Sequence, residues 1–167
     1  YNTLLLSHIN YGILLWGHIS KRVHKLQKKA VRIMTLSKYN AHTEPLFKKL
    51  NLLKVMDIHS LNKLKFYHKF TNNKLPQYFQ ELPLNQNKNF HHHITRQKEN
   101  IHVIRVQHAY AQYNIRYDLP VFINNSDVSI TEKFKTHSIS GFNRYLKRKY
   151  IENYKVNCIK PNCYICS

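Results

Sequence analysis

Three glycines and five prolines in 167 residues leave the backbone few places where it must turn sharply or take positive φ. Sandwiches and barrels need a turn signal every ~8–12 residues, and phosphate-cradling loops need clustered glycine; this chain supplies neither. A mainly α fold is expected. The length suits one ordinary domain, and a domain near this size buries roughly 68–70% of its unfolded surface. Hydrophobic residues at 43% and aromatics at 13% argue for a packed core rather than disorder.

Charge is the second constraint. Lys and Arg number 27 against 8 acids, a formal net charge of +19. So large an excess repels itself in the compact state and points to a polyanionic partner. Three cysteines, an odd set gathered at the C-terminal end, exclude a disulfide framework. The chain opens on Tyr1 rather than Met, so it reads as a piece of a longer polypeptide. The first apolar stretch, Leu4 to Trp16, is interrupted by Ser7, His8 and Asn10. It is shorter than the ~18 apolar residues of a membrane span and lacks a signal-cleavage site. A buried helix is expected there, and an intracellular location, nuclear and cytoplasmic.

Periodicity places the other elements. Val23, Leu26, Ala30 and Ile33 recur at helical spacing from Lys21 onward, with Gly17 and Ser20 before them. Pro45 opens a short helix through Leu50, and Asp57 starts a longer one to Phe70 with Ile58, Leu61, Leu64 and Tyr67 inward. Asn72-Asn73 stops it. Ile101, Val103 and Ile104 are candidates for a short strand or β-hairpin, His108–Tyr113 for a helical turn, and Ser138–Tyr154 for a final helix with Phe142, Leu146 and Tyr150 inward. Three segments follow: residues 1–83, a compact helical domain; 84–130, an irregular His- and Asn-rich connector; and 131–167, a basic helix with the cysteine cluster.

The eight acids are scattered and read as counter-charges rather than as a two-metal site. His91-His92-His93 reads as a solvated cluster on a polar loop, since adjacent imidazoles do not converge on one ion. Cys158, Cys163 and Cys166 form C-x4-C-x2-C, which offers three thiolates to a zinc ion but no fourth ligand. The strongest feature is basic: Lys21, Arg22, Lys25, Lys28, Lys29 and Arg32 on one helix, Arg144, Lys147, Arg148 and Lys149 on another. Each cation that neutralises a phosphate releases counterions, and exposed tyrosines could stack on unpaired bases. Nucleic acid is the expected partner. An anionic membrane is the weaker candidate, because neither basic helix shows an exposed aromatic–aliphatic face for insertion.

Three blocks in order, Asn10-Tyr11-Gly12-Ile13-Leu14-Leu15-Trp16-Gly17, Leu26-Gln27-Lys28-Lys29-Ala30-Val31-Arg32-Ile33 and His42-Thr43-Glu44-Pro45-Leu46-Phe47-Lys48-Lys49-Leu50, carry a resemblance. Thr95-Arg96, Arg105-Val106, Ile115-Arg116-Tyr117 and Gly141-Phe142 continue it. The succession resembles the region after the polymerase core in non-LTR (LINE-type, jockey-like) retrotransposon reverse transcriptases. It departs at Leu119-Pro120 and Ile123-Asn124, where that family tends to have Gly-Pro and Trp-Asn. The resemblance implies a thumb-like helical domain with a C-terminal extension, set against template RNA and primer DNA. It also implies that the catalytic aspartates and their magnesium belong to an upstream core of the same polypeptide, so no catalytic residue is expected here. A basic cellular scaffold, bound to nucleic acid or an anionic membrane with no polymerase link, is the alternative.

Overall fold

Helical periodicity governs the chain: the computed structural model, which describes residues 1–82, 84–90, 96–127, 130 and 138–155, is mainly α. In order come α1 (Ser7–Asn10), α2 (Ile13–Trp16), α3 (Lys21–Met34), α4 (Thr43–Lys49), α5 (Val55–Thr71), α6 (Gln77–Gln80), α7 (Ile115–Asn124) and α8 (Ile139–Glu152). Among the described residues, β pairing is confined to one antiparallel bridge, Gln86 to Ile101, so the expected hairpin shrinks to a single contact. The amide of Asn124 replaces the missing strand. Its Oδ1 accepts from the Ile101 N–H at 2.9 Å and its Nδ2 donates to the Ile101 carbonyl at 2.8 Å.

The chain divides into two compact units, Tyr1–Asn62 with Asn143–Ser167, and Lys63–Phe142. Their boundaries fall inside α5 and α8, not at the composition shifts near residues 84 and 131. In the first unit Ile9, Ile13, Val55 and Ile58 form one core cluster with Leu6, Trp16, Val23 and Leu53 against it. Val31, Phe47, Ile151 and Tyr154 form another. In the second unit Leu64, Leu119 and Phe142 are buried, and the His68 ring stacks on Phe142 at 5.2 Å. Lys63 is buried there as an ion pair with Asp118 at 2.6 Å, over the face of Phe122. The inward faces expected for α5 and α8 are observed at Ile58, Leu61, Leu64, Phe142 and Leu146.

Two expectations fail. The first segment is not one helix buried on all sides. Gly12 takes a left-handed φ of 60° that splits it into α1 and α2, the Trp16 indole donates to the Tyr11 carbonyl at 2.7 Å, and Leu4 and Leu15 stay exposed. Asp118-Leu119-Pro120, part of the 84–130 segment expected to be an irregular connector, lies inside α7. Asn114 caps this helix by accepting the Arg116 N–H at 2.9 Å, and burial of Leu119, Pro120 and Ile123 outweighs the cost of an internal proline.

Helix ends show what replaces glycine. After α4, α5 and α3, residues Asn51, Asn73 and Leu36 take φ of 53°, 53° and 50°. In each case the next residue's N–H reaches back to the helix: Leu52 to the Phe47 carbonyl, Lys74 to Lys69, Ser37 to Arg32. These are Schellman caps. Asparagine tolerates the left-handed region; a leucine there is strained.

Candidate nucleic-acid interface

Successive residues of an α-helix advance by about 100°, so α3 can be read as sectors. Lys21, Arg22, Lys25, Lys28, Lys29 and Arg32 fall within about 120° of its circumference. No acid lies in the helix to interrupt them. Lys21, Arg22, Lys25 and Lys29 are exposed, while Lys28 and Arg32 are half-buried. Arg32 has a second task, donating from Nε to the Ala41 carbonyl at 2.9 Å and holding the loop before α4. On α8, Arg144, Lys147 and Arg148 are exposed and share a face of about 100°; Lys149 is half-buried. Both groups belong to the first unit. The exposed members of each group lie on one face of their helix.

The inward side of α3 differs from the expected one. Ser20, Gln27 and Val31 are buried, whereas Leu26 and Ile33, members of the apolar row that marks the helix in the sequence, are 61% and 73% exposed. Gln27, 1% exposed, explains the rotation. Its Nε2 donates to the Tyr1 hydroxyl at 2.6 Å and the Leu53 carbonyl at 2.8 Å, and its Oε1 accepts from the Val55 N–H at 3.0 Å. A buried amide with partners on both ends replaces an apolar residue. The four-residue row Val23, Gln27, Val31 was the signal available in the sequence, obscured by the polarity of its middle member. The rotation also corrects a premise of the membrane argument: α3 does present an exposed aliphatic stripe beside its bases.

Acids act structurally. Lys54 pairs with Glu44, and the lysine's hydrogen bond holds that carboxyl below its ordinary range. Lys88 meets Glu99 at 3.3 Å. Asp57 is half-buried and its pKa is pushed up by desolvation, against the opposing effects of the Tyr154 hydroxyl and Lys54. Lys48 donates to the carbonyls of Glu152 and Tyr154 at 3.2 and 3.0 Å, so this cation serves the end of α8. Tyr11, Tyr39, Tyr110 and Tyr113 are exposed, whereas Tyr67, Tyr117, Tyr145 and Tyr150 are half-buried, so half of these rings are placed to meet a base.

Among the described residues no group of three or more His, Cys, Asp or Glu converges on a metal position. Cys158, Cys163, Cys166 and His91-His92-His93 lie outside the described residues. No helix among those described is long and apolar enough to cross a membrane. No protein-family model matches the chain, and neither does any curated protein or solved structure.

Proposed function

We propose that the chain binds nucleic acid through the sugar-phosphate backbone, using Lys21, Arg22, Lys25 and Lys29 of α3 and Arg144, Lys147 and Arg148 of α8. The basic sector of α3 carries the reading: four exposed cations on one face, with no acid in the helix. Such a surface holds a strand in register without reading its bases, because phosphates carry no sequence information. The resemblance to the region after a retrotransposon polymerase core extends the proposal. The bound strand is RNA template, DNA primer or their hybrid, held for RNA-directed DNA synthesis by a catalytic core of the same polypeptide that contributes the metal-binding aspartates. Zinc at Cys158, Cys163 and Cys166 would add a terminal grip, tested by metal analysis of protein purified without chelator.

The test is salt dependence. With four phosphates neutralised by α3 alone, log affinity for duplex DNA should fall with log salt at a slope of about −3.6 from that helix. Substituting Lys21, Lys25 and Lys29 with Gln should flatten the total slope by ~2–3, equally for unrelated sequences. Unchanged slope removes α3 from the interface. Preference for a hybrid over anionic vesicles separates the polymerase reading from the membrane-surface scaffold.

A further inference from the structure

One apolar row of α3 has a regular spacing, with Val23 and Ala30 half-buried and Leu26 and Ile33 exposed. Ile19, just before the helix, then Val23, Leu26, Ala30 and Ile33 follow one another at intervals of four, three, four and three residues. That is the d-a-d-a-d row of a coiled-coil seam. The row spans about 80° of the helix and adjoins the basic sector without overlapping it. Ile19, Leu26 and Ile33 are 62%, 61% and 73% exposed. Beside the row lies an apolar groove of about 230 Å³ between Val23 and Leu26 on one side and Leu5, Ile9 and Trp16 on the other. Leu36, past the end of the row, is 95% exposed in a left-handed conformation that costs a leucine energy, while the same cap position after α4 and α5 is asparagine.

We infer that this seam docks an acidic amphipathic helix of a partner protein, which lays leucine-type anchors over Leu26 and into the groove and sets Glu or Asp against Arg22 and Lys29. Charge selects this occupant. Arg22 and Lys29 stand at the g positions that flank the seam, where they meet the partner's e positions. A second copy of this chain has no acid for those places: Ser20 and Gln27 are buried in its own core and Met34 carries no charge, and +19 would oppose +19. A bilayer is a poorer match: the row is narrow, as in a helix-to-helix seam, and its central part opens into a concave groove rather than projecting. The apolar row lies outside the phosphate-binding sector, but Arg22 and Lys29 border both, so an acidic helix docked on the row would compete with phosphates for those two cations.

The test uses the full chain and a labelled four-heptad peptide with Ile at a, Leu at d and Glu at e and g, read by fluorescence anisotropy at 150 mM salt. The Glu peptide should bind. The variant Ile19→Ser/Leu26→Ser/Ile33→Ser, whose protein charge is unchanged, should bind it at least tenfold more weakly while keeping its far-ultraviolet dichroism and its nucleic-acid affinity. The variant Arg22→Glu/Lys29→Glu should instead prefer a peptide with Lys at e and g. The inference is overturned if the Glu peptide does not bind, or if the triple serine variant binds it equally well, which means charge attraction alone. It is equally overturned if the seam variant abolishes self-association in the ultracentrifuge, or abolishes attachment to phosphatidylcholine–phosphatidylserine vesicles that the native chain binds more tightly than the peptide.

Discussion

The Tyr154 hydroxyl donates to the Asp57 carboxylate while accepting the Lys54 backbone N–H at 3.0 Å, joining the segment after α8 to the start of α5 across 97 positions of sequence. Asp57 is pushed up by burial, and Tyr154 is pushed well above the ordinary phenol value by burial and by its neighbouring carboxylate. Removing the hydroxyl leaves a half-buried carboxylate and a backbone N–H short of a partner. Tyr154→Phe should therefore lower unfolding free energy by about 1–3 kcal/mol, measured by urea titration at pH 7. Tyr154→Phe in an Asp57→Asn background should cost less. Equal costs in both backgrounds would show that the two groups are not coupled.

Gly17 is buried against the His59 imidazole. A Cβ added at Gly17 would overlap the ring carbons and stand 2.7 Å from Nδ1. Gly17→Ala is expected to destabilise by about 1–3 kcal/mol through overpacking. A smaller residue at His59 should recover part of the loss, and thermal melts of the single and double variants read this directly. An additive pair would contradict the close approach.

Leu36 offers the opposite sign. Its side chain is 95% exposed and its φ is 50°, so little packing offsets the strain. Leu36→Asn, copying the caps at Asn51 and Asn73, should raise stability by about 1 kcal/mol. A fall in melting temperature would mean that the leucine makes a contact worth more than the strain.

His24 is half-buried beside the Phe47 ring, with Lys28 and Lys54 repelling its charged form and Gln27 and Asp57 favouring it. Desolvation is the largest effect and holds its pKa below the ordinary 6.5. A depressed folded pKa means that the unfolded chain takes the proton first, so stability from this group is present above about pH 6.5 and is lost as pH falls through the lower folded value. Glu44, also depressed, loses its share below its ordinary 4.5. Asp57 runs the other way, gaining as it protonates on the way down to its ordinary 3.8. Urea midpoints should fall between pH 7.5 and 5.5, and His24→Gln should flatten that slope. An unaltered slope would assign the loss to another histidine.

Helical class, the inward faces of α5 and α8, and the clustering of bases on α3 and α8 were all legible in the sequence. Each depends on spacing along one helix, and spacing is a local property. Three features were decided only by tertiary structure. Gln27 became a core residue because Tyr1, Leu53 and Val55, distant in sequence, present partners to both ends of its amide. That choice turned Leu26 and Ile33 outward, since the side of the helix that carries Gln27 and Val31 is the one packed against the core. Pro120 stayed helical because Leu119 and Ile123 are buried beside it. Local pattern names which rows of a helix are apolar; which row faces inward depends on what the rest of the fold brings against it.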